Sequence, residues 1–317
     1  MCFLLYYLTF DLSNKIYGGD KMEYIVKTNK LTKRFIDKVA VNEVSMNITQ
    51  GDIYGFIGRN GAGKTTTMKL LLGMIYPTSG SMELFGSKDL EKQRIKIGSL
   101  IEAPGIYKNC TAFENMKRFS LISGGSDKEI TNLLEFVGLG NVGNKKAGDF
   151  SLGMRQRLGI AIAMLGNPEL LVLDEPINGL DPAGIKDIRD LILKINKERK
   201  VTVLVSSHLL DELSKIVTKY GIVNNGRLVE EITAEELNNR CKEYLSIKVD
   251  NLKLAHSLLS KTYSNIEIEI KGEYINIYSH LDKSDEMNKL LVTNNVKVYE
   301  LAFAKGGLEE YFIERIG

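Results

Sequence analysis

The chain has little of what marks several common classes of protein. Its 317 residues include only three cysteines and three histidines. Cys2, Cys110 and Cys241 are odd in number and far apart, unlike a zinc site or a disulfide framework, so we expect reduced thiols. His256 and His280 lie without cysteine or histidine neighbours and are expected to have ordinary structural roles.

Charge and hydropathy argue against two further classes. The 42 basic and 40 acidic residues leave a net charge of +2, without the basic excess of a nucleic-acid-binding protein. We therefore expect no nucleic acid partner. No apolar run reaches the roughly 18 to 20 residues that a membrane span needs. The best candidate, residues 3–10, stops at Asp11 and lacks the basic region and cleavage site of a secretion signal.

The beginning of the chain suggests a leader. The segment Gly18-Gly19-Asp20-Lys21-Met22 can be encoded by a purine-rich ribosome-binding sequence that ends on a start codon. We expect that translation begins at Met22 and that residues 1–21 are a non-native or disordered leader. The alternative is a real apolar extension at the N-terminus.

From Met22 to about residue 231, the hydrophobic pattern alternates between strands and helices. A short apolar run at 52–57 enters a glycine-rich loop. Continuous apolar runs, as in strands buried on both faces of a parallel sheet, occur at 170–173 and 201–205. Helices are predicted over 65–72 and after Pro182, where isoleucines recur at helical spacing at positions 185, 188, 192 and 195.

Beyond this region the predicted order of elements changes. Residues 222–229 predict a hairpin with an Asn225-Gly226 turn, and the polar segment 234–242 is helix-prone. The remaining pattern is β-α-β-β-α-β, a ferredoxin-like order. Its strands are predicted at 244–249, 266–270, 274–278 and 296–301, and its helices at 252–261 and 284–291, the second capped by Ser284. A final helix is predicted at 308–316.

One glycine-rich loop has the residues of a phosphate-binding site. It matches G-x-x-x-x-G-K-[ST] between a predicted strand and a predicted helix. Its backbone N–H groups and the helix start favour an anion. Lys64 is placed at the β- and γ-phosphates and Thr65 at Mg²⁺. The nucleotide-binding residues predicted here are Gly58, Arg59, Asn60, Gly61, Ala62, Gly63, Lys64, Thr65 and Thr66.

Two acidic residues follow a second apolar strand, in the sequence LLVLDEP. Asp174 ends the strand, where its carboxylate can hold Mg²⁺ together with Thr65. Glu175 comes next and is placed to orient or deprotonate an attacking water. The sequence therefore predicts a site that hydrolyses a nucleoside triphosphate with Mg²⁺.

Residues 35 to about 229 resemble ABC transporter ATPases. Besides the two motifs above, the segment Ser151 to Arg157 (SLGMRQR) aligns with the signature LSGGQxQR of that family. Asn178-Gly179-Leu180-Asp181 resembles the D-loop, Ser206-Ser207-His208 the switch histidine, and Phe35 the aromatic residue that stacks on adenine. The resemblance implies an α/β P-loop NTPase cassette, a RecA-like core with antiparallel β and helical subdomains, over residues 22–238. A small α+β domain is expected at 239–317.

The resemblance also implies roles and partners. Two cassettes pair head to tail, so the signature of one copy faces ATP held by the other; a homodimer is the simplest pair. Ser151 and Gly153, with Met154 beside them, would contact the γ-phosphate across the dimer. His208 would contact the γ-phosphate of its own copy, and Asp181 would bridge the interface. Lys64, Glu175 and His208 are the predicted catalytic residues.

Departures from the family pattern point to one branch of the family. Leu152 and Met154 replace a glycine and a glutamine of the signature, and Glu102 stands where most relatives have a glutamine near Mg²⁺. We count Glu102 as a candidate metal ligand with Thr65 and Asp174. The segments IEAPG and SLGMRQRLGIA resemble the bacitracin-resistance and lantibiotic-immunity branch. The C-terminal LEEYF resembles it too, although a generic amphipathic docking helix would read the same way.

The leading hypothesis is the ATPase subunit of an exporter that protects the cell from a peptide antibiotic. It would lie on the cytoplasmic face of the membrane and act on separate permease subunits, which bind the cargo. An exporter of a small drug, lipid or ion is the alternative. A soluble ABC ATPase acting on ribosomes or DNA is disfavoured, because the chain has one P-loop and no extended basic linker.

Overall fold

The computed structural model describes residues 24–316, except Gly124, Lys242 and Gly307. The predicted leader and start, residues 1–22, lie outside the described residues. Within them, no helix is long and apolar enough to cross a membrane.

Strands and helices follow one another along the described chain in this order. The strands are β1 (Tyr24–Arg34), β2 (Val39–Val44), β3 (Asn47–Thr49), β4 (Ile53–Ile57), β5 (Ser79–Leu84), β6 (Ile97–Leu100), β7 (Leu170–Asp174), β8 (Thr202–Ser207), β9 (Lys219–Asn224), β10 (Arg227–Thr233), β11 (Glu243–Val249), β12 (Ile268–Lys271), β13 (Tyr274–Ile277) and β14 (Val298–Lys305). The helices are α1 (Lys64–Leu71), α2 (Leu90–Arg94), α3 (Ala112–Ser123), α4 (Asp127–Phe136), α5 (Leu152–Ala163), α6 (Pro182–Arg199), α7 (Leu210–Leu213), α8 (Ala234–Arg240), α9 (Leu252–Thr262), α10 (Ser284–Thr293) and α11 (Leu308–Ile316).

A six-stranded sheet forms the centre of the cassette, in the order β10-β9-β4-β8-β7-β6. All neighbours are parallel except β10 and β9, the predicted hairpin, whose turn residues Asn225 and Gly226 both have positive φ. Leu171 and Leu173 of β7 enter the core on one face, and Leu170 and Val172 enter the core on the other. The prediction of strands buried on both faces is confirmed.

Smaller elements flank this sheet. An antiparallel sheet pairs β2, β1 and β3, with β5 also on β1. Helices α3, α4 and α5 pack together beyond β6. Helix α6 begins as predicted at Pro182, and its isoleucines at 188, 192 and 195 are buried. These pieces match the predicted cassette of a parallel core with antiparallel β and helical parts.

The region after α8 has the predicted β-α-β-β-α-β order, with an antiparallel sheet β12-β13-β11-β14. Three local predictions are wrong, and one of them is the start of the second strand, which lies at Ile268 and not at 266. Ser284 is the first residue of α10 and not its cap, because a 3₁₀ turn (Leu281–Lys283) already delivers the chain in a helical conformation. The last strand begins at Val298 and not at 296, because the N–H of Val296 is bonded to Leu291 O at the end of α10.

The last helix returns to the cassette. Phe312 of α11 is fully buried in the cassette core, 5.9 Å from the Tyr220 ring. The Glu230 carboxylate accepts hydrogen bonds from Tyr311 Oη at 2.8 Å, Arg315 Nε at 2.9 Å and Arg240 at 2.6 Å. Burial raises the pKa of Glu230, but these bonds outweigh it and the pKa is lowered. The predicted 239–317 unit therefore has its final helix anchored on the predicted 22–238 unit.

Truncation of the buried ring tests this anchoring. Phe312→Ala should lower the free energy of unfolding by about 3 to 4 kcal/mol, because a large core side chain leaves a cavity. Ile313→Ala is the matched control: Ile313 is 59% exposed, and its change should stay within about 0.5 kcal/mol. Urea unfolding of both variants measures the difference. Equal losses would contradict the docking of α11.

Candidate nucleotide-binding site

The phosphate-binding loop joins β4 to α1 and depends on its glycines. Gly63 has φ 104°, and a Cβ there would lie 2.4 Å from Ala40 O. A Cβ on Gly58 would lie 2.3 Å from Val223 O. Both contacts are far too short for another residue, so the backbone can take this path only with glycine. The loop then opens directly onto the N-terminus of α1, an arrangement suited to phosphate.

Lys64 is buried at the start of α1. Its Nζ donates hydrogen bonds to Gly58 O at 2.7 Å and Arg59 O at 3.3 Å, and lies 3.2 Å from Glu175 Oε1. The ammonium borders a cavity of about 240 Å³. The cavity is lined by the predicted Asn60, Gly61, Gly63, Lys64, Thr65, Thr66 and Glu175, and by Lys38 and Ala40. Two lysines and a helix N-terminus make it a fitting place for a polyphosphate.

Asp174 is buried at the end of β7, beside the start of α1. Its Oδ2 accepts a hydrogen bond from Thr65 Oγ1 at 2.7 Å, and its Oδ1 accepts one from Ser206 Oγ at 2.5 Å. A carboxylate and a hydroxyl in contact are the hard oxygen donors that Mg²⁺ takes in phosphoryl-transfer sites. The donor set of Thr65 and Asp174 therefore fits the predicted cation.

Glu175 follows in a left-handed backbone conformation, with φ 49°. Its Oε2 lies 2.8 Å from His208 Nδ1, as a hydrogen bond whose direction depends on the histidine tautomer. Oε1 is buried and makes only the ionic contact with Lys64, with no hydrogen-bond partner among the described residues. A buried carboxylate oxygen without a hydrogen-bond donor is suited to accept a hydrogen bond from a water molecule. The three predicted catalytic residues thus meet at one point.

The other predicted nucleotide contacts lie away from this cavity. Ser151 caps α5 by accepting the Met154 N–H at 3.2 Å, and Asp181 caps α6 by accepting the Gly184 N–H at 3.0 Å. Gly153 lies near Leu180. None of the four predicted residues Ser151, Gly153, Met154 and Asp181 lines the cavity beside Lys64. Phe35, in the turn after β1, is 47% exposed, with Lys33 Nζ 5.2 Å from its ring centroid.

Glu102 lies in a left-handed conformation after β6, with φ 60°. Its Oε1 accepts a hydrogen bond from Lys69 Nζ on α1 at 2.7 Å. It also borders a second cavity, of about 370 Å³, together with Thr65 and Asp174. The carboxylate is therefore next to the candidate metal site, but its partner in this structure is a lysine.

Three residues of the site escaped the sequence analysis. Ser206 was noted only as part of the histidine motif, and Lys69 and Lys38 were not noted. The pairing of Asp174 with Ser206 across β7 and β8 could have been suspected, because both end apolar strands. Lys38 and Lys69 carry no sequence signal, since exposed lysines are common on any surface.

Comparison with known proteins agrees with this geometry. Residues 41–178 match the ABC transporter family. The chain is 44% identical to the bacitracin transport ATP-binding protein BcrA of Bacillus licheniformis, over 93% of this chain and 98% of that protein. It is 43% identical to the lantibiotic transport ATP-binding protein SrtF of Streptococcus pyogenes, over 65% of this chain and 90% of that protein.

A solved structure shares the fold of the cassette. It is a dimeric, post-hydrolysis ATP-binding cassette bound to ADP and phosphate, 25% identical, with a TM-score of 0.59 over 66% of this chain and 98% of that chain. The motifs, their geometry and these relatives lead to one conclusion: the chain belongs to the ABC transporter family, as an ATP-binding subunit that hydrolyses ATP.

Proposed function

We propose that this chain energises an exporter that protects its cell from a peptide antibiotic of the bacitracin or lantibiotic type. The observation that carries the proposal is the 44% identity to a bacitracin transport protein over 93% of the chain. That likeness extends past the cassette into the region after α8. The likeness to the lantibiotic relative supports the same class of cargo.

The residues around the cavity have distinct roles in this proposal. Bound Mg²⁺ supplies charge neutralisation at the phosphates, and Thr65 and Asp174 hold it. The Lys64 ammonium contacts the β- and γ-phosphates. Glu175 orients the attacking water and takes its proton, and His208, already bonded to Glu175, contacts the γ-phosphate.

A second copy completes the site. Ser151, Gly153 and Met154 do not line the cavity beside Lys64, and we therefore place their contact with nucleotide in a second copy of the chain. A head-to-tail homodimer would bring them to the γ-phosphate, with Asp181 at the interface. The dimeric cassette of the same fold supports this arrangement.

The membrane components are separate chains in this proposal. Permease subunits bind the cargo, and the cassettes dock on them at the cytoplasmic face of the membrane. We infer that the loop around Glu102 touches the permease, since it links the metal site to the helical part at α3. A small drug, lipid or ion remains the alternative cargo, because the cargo contacts the permease and not this chain.

Substitutions in the cavity test the ATPase roles. Lys64→Ala should slow hydrolysis by at least about a hundredfold, because it removes a cation that stabilises phosphoryl charge. Glu175→Gln should bind ATP, hydrolyse it about a hundredfold or more slowly, and accumulate as a dimer. Lys92→Ala, an exposed lysine on α2, is the control. ATPase assays and size-exclusion chromatography with ATP are the measurements. A Glu175→Gln chain that stays monomeric at high concentration with ATP would count against the homodimer.

Cell survival tests the cargo. A sensitive bacterium that expresses this chain with its neighbouring permease genes should tolerate more bacitracin or lantibiotic. The Glu175→Gln chain with the same permease should give no protection, because the permease then lacks its energy source. Inhibitory concentrations are compared for peptide antibiotics, small drugs and ions. Protection against a small drug or ion alone would replace the peptide cargo by that class.

Glu102 is expected to matter more for coupling than for chemistry. Its ion pair with Lys69 is largely exposed, so its loss in Glu102→Gln should cost less than about 1 kcal/mol. ATPase activity of the purified chain should stay within about twofold, because an adjacent Mg²⁺ would cancel most of the electrostatic difference between glutamate and glutamine. Survival should fall more than the ATPase rate, and further for Glu102→Ala, because the loop transmits changes at the metal site to the permease. Glu91→Gln on α2 is the control. Equal fractional losses in both assays would place Glu102 in the chemistry.

A further inference from the structure

Ser206 makes two hydrogen bonds with the two acids of the site. It lies on β8 directly opposite Asp174 in the parallel pairing with β7, and it is completely buried. Its hydroxyl donates to Asp174 Oδ1 at 2.5 Å and accepts the backbone N–H of Glu175 at 3.0 Å. One side chain thus contacts the side chain of one acid and the backbone of the next.

We infer that Ser206 is the positioning residue for ATP hydrolysis: it orients the Asp174 carboxylate and holds the backbone from which Glu175 projects. The inference rests on the roles proposed above for these two acids. A serine hydroxyl has a single hydrogen, and here that hydrogen is committed to the carboxylate, since the Glu175 N–H can only donate. The directions of both bonds are therefore set.

The hydrogen bond to Asp174 can fix the orientation of a candidate metal ligand. A buried hydrogen bond to a carboxylate is short and charge-assisted, and it restricts the rotation of the group. The other oxygen of Asp174 accepts a hydrogen bond from Thr65. Thr65 is itself a candidate metal ligand, and its hydroxyl oxygen has to face the cation. Ser206 is already committed at the opposite oxygen, so it can keep the carboxylate plane in place. Outer partners of this type commonly change metal affinity by about 10- to 100-fold.

The contact with Glu175 acts on a strained backbone. A non-glycine residue at φ 49° persists only where its surroundings hold it. The Glu175 N–H is bonded to Ser206, and its C=O accepts the Asn178 N–H at 3.1 Å. These two bonds hold the peptide units on either side of the residue. Its carboxylate is thereby directed to Lys64 and His208.

A second buried hydroxyl on the same strand provides the comparison. Thr202, at the opposite end of β8, is also fully buried and accepts the Gly51 N–H at 2.8 Å. It is remote from the nucleotide cavity. Thr202→Val and Ser206→Ala each remove one buried hydroxyl from β8, so both should lower the melting temperature. Only Ser206→Ala should change the behaviour of the metal.

Binding of Mn²⁺ is the direct measurement. Electron paramagnetic resonance follows free Mn²⁺ as it is titrated into the full chain with a non-hydrolysable ATP analogue. Ser206→Ala should weaken Mn²⁺ binding by about 10-fold or more. Its kcat with Mg²⁺ should fall by a similar factor, with KM for ATP within about twofold. Binding of the analogue in EDTA should be unchanged. Thr202→Val should keep both Mn²⁺ affinity and kcat.

Several outcomes would overturn the inference. Ser206→Ala with wild-type Mn²⁺ affinity and kcat would do so, and so would an equal loss in Thr202→Val. If Ser206→Ala does not fold, Ser206→Cys serves in its place, because a thiol fills the space but donates only weakly to a carboxylate. Wild-type Mn²⁺ affinity and kcat in that variant would overturn the inference equally. An Asp174→Asn chain that binds Mn²⁺ as well as wild type would instead remove the proposed role of Asp174.

Discussion

The parallel pairing of β4, β8 and β7 is the constraint on which the site depends. Because neighbouring parallel strands end at the same edge, the loop after β4, the two acids at the end of β7 and His208 after β8 come together there. The strands are buried on both faces, and the apolar cores on either side set their register. A one-residue slip would exchange the two faces and separate Ser206 from Asp174. Hydrophobic packing of the sheet thus sets the geometry of the candidate site.

At that edge, charges are neutralised locally. Glu175 is mostly buried, and a buried carboxylate is costly unless it is paired. Lys64 and His208 surround it on two sides, and Lys64 also satisfies the carbonyl oxygens of its own loop. Asp174 differs, since it receives hydrogen bonds from two neutral hydroxyls and, among the described residues, from no cation. The surroundings of Asp174 therefore suit a metal ligand, and those of Glu175 suit a group that accepts a proton.

The region after α8 is tied to the cassette at its two ends. Helix α8 is capped by Thr233 and Glu236 in a reciprocal pair of hydrogen bonds, and Leu237 packs into the cassette core. Helix α11 packs there through Phe312, and Glu230 collects donors from both helices, through Arg240 and Arg315. The sheet between them has its own core, formed mostly by aliphatic side chains together with Tyr263 and Met287. The chain therefore leaves and rejoins the cassette at neighbouring points.

Much of this protein was determined by local sequence. Gly63 must be glycine for its own backbone angle, the asparagine-glycine hairpin forms from two adjacent residues, and buried strands read as apolar runs. The nucleotide motifs are local in the same sense, so their residues and order could be predicted. The predicted start of β14 and the cap of α10 failed where a neighbouring turn or helix end competed for the backbone.

Only the tertiary structure decided which distant groups meet. Ser206 is 32 residues from Asp174, Lys69 is 33 from Glu102, and Tyr311 is 81 from Glu230. Periodicity and composition indicate whether a side chain is buried. They do not indicate which residue of a neighbouring strand, or of the final helix, it will contact. Those partners are set by the packing of the whole sheet, and hydrogen bonds of a few ångströms form only after that packing is in place.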